Sequence, residues 1–313
     1  MGGREAALGV KPMSNGRLRS GNRMRQRWLL LATCLLGNCA MALDVSSLWN
    51  YSDPEASEQQ FRHALAGATG NDSLILQTQL ARTYGLRRNF VEARRILAEV
   101  QNSIPGASPE ARVRYCLELG RTYASTAHQP DEETPESREK ARSLYAAAFE
   151  RARDARLDAL AIDALHMMAT VDTAPGDQLQ WDLKALAYME DSSQPEAKRW
   201  EGSLRNNIGY ANHLLGNYQE ALVQYRLSLA AHEREGRVAN ARVAHWMIAR
   251  TMRAQGSFQE AIAIQLRLER EWKEAGQQDP YVYEELENLY RATGNTLLAD
   301  EYEVKHQASR EKR

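Results

Sequence analysis

An all-α chain built by stacking pairs of helices is predicted from three observations. Apolar residues recur at helical spacing through most of the sequence, and no sustained alternating pattern interrupts them as a strand would. Small residues return at one place in successive stripes, at Ala81, Gly120, Gly209, Ala249 and, imperfectly, Glu287, with intervals of 39, 40 and 38 residues between unambiguous neighbours. Glycine follows the first helix of a pair at Gly216, Gly256 and Gly294, where it accepts the left-handed conformation that ends a helix. Composition agrees: Ala, Leu, Arg, Glu and Gln are plentiful, and only 9 of 313 residues are Pro, which favours helix over sheet. With 43% hydrophobic and 26% charged residues, the chain has enough apolar material for a core.

The elements follow in order. Asp53-Pro54-Glu55 opens the first helix, with Asp as N-cap and Pro at the first helical position. Phe61, Ala64 and Leu65 stripe it, and residues 43–70 are expected to form a capping half-repeat. The rest, 71–313, is expected to be an array of about five to six units. In its first unit, Leu80, Ala81 and Tyr84 end one helix, Asn89-Phe90 turns the chain, and Ala93, Leu97 and Val100 stripe the next, which Pro105 stops. Cys116 falls on an inner face with Val113, Leu117 and Gly120 and is expected to be a small buried hydrophobe. Leu119, Gly120 and Tyr123 then pair with Ala141, Tyr145 and Ala148 across 127–136, a polar insertion with two prolines that reads as an extended loop. A degenerate unit spans 157–190, with Ala161, Leu165 and Ala169 on one helix and Trp181, Ala185 and Tyr188 on the other. The last two units are marked by Ile248, Ala249 and Met252 with Phe258, Ala261 and Leu268, and by Leu286, Tyr290 and Ala299. The charged tail to Arg313 is expected to fray.

The clearest unit is 202–235, GSLRNNIGYANHLLGNYQEALVQYRLSLAAHERE. Ile208-Gly209, Gly216-Asn217-Tyr218, Ala221, Tyr225 and Ser228 resemble the tetratricopeptide repeat (TPR) family. The family's unit is about 34 residues, so the longer interval here is similar to its longer-repeat relatives. The resemblance covers roughly 55–310 and implies a right-handed α-solenoid that acts by binding, chiefly through a concave face lined by the first helix of each unit. A two-helix unit cannot bury its stripe alone and must stack on neighbours. Gly209 is expected to face Ala221 where the helices touch, with Tyr218 and Tyr225 filling the wedge between units.

Residues 1–42 differ from the rest. They carry seven basic residues and one acid, a charge of +6, so the formal −1 of the whole chain leaves −7 for the remainder. Arg25 and Arg27, the apolar run Trp28–Leu36 and then Ala40-Met41-Ala42 have the layout of a secretory signal peptide, too short to span a bilayer. Export with cleavage after Ala42 is expected, placing the mature protein, without a membrane span, in the periplasm or cell envelope. Leu36-Gly-Asn-Cys39 is a poorer match to a lipoprotein acceptor. Translation from Met24 would make 1–23 a mis-assigned start, and translation from Met41 would give a cytoplasmic protein. Of three cysteines only Cys116 lies beyond this segment, so the mature chain has no internal disulfide. Its acidic body argues against a general nucleic-acid binder.

Nucleotide loops, zinc-binding helices, nucleophile elbows and paired CxxC motifs are missing, so neither an enzyme nor a cofactor is expected. The register of the resemblance places Arg82, Arg121, Asn206, Tyr210, His213, Trp246, Arg250, Arg253, Asn288 and Arg291 near the concave face. Arg grips carboxylates, Asn can clamp a peptide backbone, and Tyr or Trp anchors side chains. A protein or peptide partner, acidic or offering its carboxyl terminus, suits such a face. Some relatives clamp carboxyl termini with Lys and Asn. Asn207 stands at one such position, but the lysines are missing. The expected function is a non-catalytic binding scaffold, with a regulatory ligand-sensing module as the alternative.

Overall fold

The computed structural model describes residues 43–129 and 131–310. The expectations about export, lipidation and the start codon fall on residues 1–42, outside that range, as does the end of the charged tail. Leu43–Arg313 forms one compact unit. Its helices are α1 (Pro54–Leu65), α2 (Gly70–Leu86), α3 (Phe90–Val100), α4 (Pro109–Arg121), α5 (Pro135–Asp154), α6 (Asp158–Val171), α7 (Pro175–Asp191), α8 (Pro195–Lys198), α9 (Glu201–Leu214), α10 (Tyr218–Arg234), α11 (Val238–Ala254), α12 (Phe258–Glu274), α13 (Pro280–Ala292) and α14 (Thr296–Arg310). There is no strand among the described residues. After α1 the helices pack as consecutive antiparallel pairs, each docked on the next, which makes an α-solenoid.

Local chemistry sets the boundaries. Asp53 accepts a hydrogen bond from the Ala56 amide at 2.9 Å and caps α1, satisfying a donor that the helix itself leaves open. Pro105 lies in a 3-10 turn after α3. The polar insertion runs from Thr122 to Thr134, earlier at both ends than the expected 127–136. Thr134 and Ser137 form a reciprocal capping box at 3.0 and 3.1 Å, so Pro135 and Glu136 belong to the first turn of α5. The loop is also tied down. Glu132 receives Arg88 at 2.6 Å, Glu133 receives the Ser125 amide at 3.0 Å, and His128 stacks on Phe90 with ring centroids 3.8 Å apart. The short α8, which periodicity did not indicate, ends α7: Lys198 Nζ donates to the Met189 and Glu190 carbonyls at 2.8 and 2.9 Å.

Small residues do mark the helix crossings, but the expected partner of Gly209 is corrected. A methyl group at Gly209 would lie 2.7 Å from the Tyr225 ring rather than against Ala221, and one at Gly120 would lie 2.6 Å from the Tyr145 ring. The glycine leaves room for a ring, not for a second small residue. Tyr225 is fully buried. It also clusters with Met247 and Ile248 of the next pair, which closes the wedge between units. Tyr218 instead meets His213 of its own pair edge-on, at 5.4 Å. Cys116 is buried, which pushes its thiol pKa up and disfavours the reactive thiolate.

Candidate peptide-binding groove

The first helices of the six pairs are α2, α4, α6, α9, α11 and α13. Neighbouring first helices touch directly in α2–α4, α4–α6, α9–α11 and α11–α13, whereas second helices pack chiefly on first helices. The first helices therefore occupy the short inner radius of the solenoid.

A ladder of polar contacts crosses each junction of this inner row. Arg82 of α2 reaches Glu118 of α4 at 3.6 Å. Arg121 of α4 binds Glu118 at 2.6 Å and Asp163 of α6 at 2.5 Å. Asn207 of α9 donates to Nδ1 of His166 on α6 at 3.1 Å. His213 of α9 meets Thr251 of α11 at 2.9 Å. Arg253 of α11 grips Glu285 of α13 with two bonds, at 2.6 and 3.1 Å. The Thr251 hydroxyl donates to the Met247 carbonyl at 2.9 Å, so His213 Nδ1 is the donor to Thr251. Burial, then the charges of Arg250 and Arg253, lower the His213 pKa and keep the ring neutral.

The inner carboxylates respond to the same charges in different ways. Burial opposes ionisation of Asp163, but the Arg121 and Arg82 charges outweigh it and hold its pKa below the ordinary value. Burial of Glu285 wins over the Arg253 bonds and leaves its pKa raised. Two arginines act on each, Arg121 and Arg82 on Asp163 and Arg253 and Arg250 on Glu285, so the balance against burial and not the number of cations separates them.

This geometry sorts the residues assigned to the concave face. Arg82, Arg121 and Arg253 are engaged in ion pairs between units. Arg291 is paired with Glu287 at 3.1 Å and Glu303 at 2.6 Å. His213 and the clamp-position Asn207 are rungs of the ladder. Asn206 and Asn288 are half-buried, and Asn206 Oδ1 has no hydrogen-bond partner among the described residues. Arg250 has no ion pair among the described residues; its guanidinium lies 6.0 Å from the Tyr210 ring centroid and 5.5 Å from that of Trp246. The Trp246 indole is itself oriented by donation to the Tyr281 carbonyl at 2.9 Å. Tyr210, Trp246 and Arg250 thus form an aromatic–cation cluster shared by adjacent first helices. In the amino half, the inner row surrounds a hollow of about 180 Å³ lined by Arg82, Glu118, Arg121, Asp163, His166 and Trp200, among others.

The ladder's carboxylates, Glu118, Asp163 and Glu285, were missed by the motif reading, yet the rungs carry a signal. Glu118, Asn207 and Glu285 each stand two residues before the repeat's small position, and Arg82 and Arg121 one residue after it. Among the described residues no group of His, Cys, Asp or Glu gathers as a metal site would, and no helix is long and apolar enough to cross a membrane.

No family model matches the chain, and no curated protein matches it. Solved structures do. BtubC (BKLC) from P. vanneervenii superposes with a TM-score of 0.58 at 17% identity, over 72% of this chain and 91% of that one. A signal-transduction ATPase with a tetratricopeptide repeat sensor from Pyrococcus horikoshii gives 0.60 at 12%, over 82% of this chain but only 39% of that one. A Rap protein complexed with Competence and Sporulation Factor gives 0.56 at 14%, over 81% and 69%. The fold is a right-handed, TPR-like α-solenoid. At these identities the likeness establishes architecture alone.

Proposed function

We propose that the chain is a non-catalytic scaffold that takes a protein or peptide segment on its concave face. The observation that carries this reading is the Tyr210–Trp246–Arg250 cluster. It offers a cation without an ion pair among the described residues, held over two rings, on a face where the other assigned arginines are already neutralised. A guanidinium in that setting suits a carboxylate, from an acidic side chain or a free carboxyl terminus, while the rings anchor neighbouring apolar groups. Asn206 and Asn288 would take the peptide backbone on the same row. That a Rap protein of this architecture is complexed with Competence and Sporulation Factor supports a binding role. With residues 1–42 read as a cleaved export signal, the scaffold works in the periplasm or cell envelope; a start at Met41 would put it in the cytoplasm.

Selection of random peptides with free carboxyl termini on the immobilised protein tests the proposal. Peptides rich in acid near the carboxyl end should be enriched, and Arg250→Glu should lose them while keeping its helicity. Binding should weaken with salt, since exposed charges are screened over about 8 Å at physiological ionic strength. Equal recovery by wild type and Arg250→Glu would remove Arg250 from the site.

A further inference from the structure

The segment before α1 is docked, not loose. Ser46–Leu48 forms a single 3-10 turn, and Asp44 Oδ1 accepts from the Ser46 amide at 3.0 Å and the Ser46 hydroxyl at 2.6 Å. Val45 is only 5% exposed. Leu43, Leu48 and Trp49 pack against the same amino-half core, while Asp44, Ser46, Ser47 and Asn50 face solvent.

The Trp49 indole N–H donates to Gln79 Oε1 at 3.0 Å, and its ring meets Phe61 edge-on at 4.9 Å. Tyr51, which is 60% exposed, stacks on Trp49 at 4.7 Å with the planes 3° apart. The Arg82 guanidinium lies 5.5 Å from both ring centroids. Gln79 and Arg82 are three apart on α2 and share a face. Arg82 is also the first rung of the inner ladder and part of the hollow's wall. The aromatic pair therefore sits on the inner side of α2. At the other end of the segment, the Ser46 hydroxyl holds the Asp44 carboxyl below its ordinary pKa.

Gln79 states what the site recognises. It is fully buried, and a buried amide oxygen left without a donor is costly. Trp49 supplies that donor, and the Trp49–Tyr51 stack covers Arg82.

We propose that Asp44–Ser52 is a built-in occupant of the amino half of the inner face, and that this site binds short peptides bearing a tryptophan and a second aromatic residue when the segment is displaced. The proposal rests on the reading of the inner face as a peptide groove and locates a second recognition point, remote from Arg250. A tethered occupant acts at an effective concentration in the millimolar range, so it masks the site from a dilute free peptide. Weakening the tethered contacts raises the fraction of competent sites and tightens apparent binding in proportion.

Fluorescence anisotropy with a labelled synthetic peptide of residues 44–52, DVSSLWNYS, on full-chain protein tests this. Trp49→Ala should bind the peptide at least about tenfold more tightly than wild type. Adding Gln79→Leu should abolish that gain, because the indole acceptor is gone. Tyr51→Ala, an exposed change that spares the Phe61 contact, should tighten binding in the same direction by a smaller factor. It decides the matter if Trp49→Ala does not fold. Peptide that binds no variant, or binds all of them alike, overturns the proposal. That failure would leave the Arg250 selection standing, because it reads a different probe at the other half of the solenoid.

Discussion

Gly209 shows how a single absent side chain sets a helix crossing. Its α-carbon lies where any β-carbon would come within 2.7 Å of the Tyr225 ring, and Tyr225 is fully buried and cannot swing aside. Gly209→Ala should therefore destabilise by about 1–3 kcal/mol, the usual cost of overpacking. Gln219→Ala, at an exposed position on α10, should change stability by about 0.5 kcal/mol or less. Equal urea midpoints and slopes for the two variants would show that the ring does not fill this space. Similarly, Arg88 and Arg156 adopt φ of 62° and 55°, left-handed values that glycine takes at Gly216, Gly236, Gly256, Gly276 and Gly294 in the carboxyl half. Repeat spacing alone did not reveal those two turns, because the glycine that marks them elsewhere is absent.

At the scale of elements, the rungs join one pair of helices to the next, and their chemistry fixes what their loss should do. Glu285 is 3% exposed on its side chain and Arg253 is 31% exposed. Arg253→Ala would leave a buried carboxylate without its partner, which places the expected loss toward the low end of about 3–5 kcal/mol. Replacing both residues by Leu should recover most of it, since two apolar groups need no partner. A double variant as unstable as Arg253→Ala would mean that the pair contributes more than mutual neutralisation. Arg253 therefore belongs first to the fold, and a charge reversal there tests stability before it tests binding. The Asp163 rung adds a pH signature. Its folded pKa is depressed, so the unfolded chain takes up a proton at higher pH than the folded one. The stability it contributes is present above the unfolded value and is lost as pH falls through the folded value. Between about pH 5 and about pH 3, wild type should lose more melting temperature than Asp163→Asn. Parallel curves would show that Asp163 is not held ionised by Arg121 and Arg82.

For the whole molecule, the solenoid was legible because its physics is periodic. A stripe every helical turn, a small residue at each crossing and a break after each first helix are all local, and the structure follows them from α1 to α14. The candidate site was only partly legible. Register assigned the arginines to first helices, and Arg82, Arg121 and Arg253 lie at unit junctions, but whether each cation meets a neighbour's acid depends on contacts some 40 residues away in sequence, such as Arg121 with Asp163. The docking of the segment before α1 was not legible: Val45, Leu48 and Trp49 stand at helical spacing but in too short a run to name what they pack on, and the Trp49 partner, Gln79, lies 30 residues away.

These contacts also shape how the array should open. A solenoid whose units touch only their neighbours unfolds locally, with damage fading over distance. The carboxyl half fits that description, from α9 to α14. The amino half does not: Arg82 and Trp200, residues of non-adjacent units, line one hollow, and the segment before α1 packs its rings against Arg82. Hydrogen exchange on Gly209→Ala should therefore speed most in α9 and α10, less in α11 and α12, and stay near wild type in α13 and α14. On the amino side α2, α4 and α6 should respond together, as one block, rather than in a declining series. A symmetrical decline on both sides of α9 would mean that the hollow and its docked segment add no coupling beyond nearest neighbours.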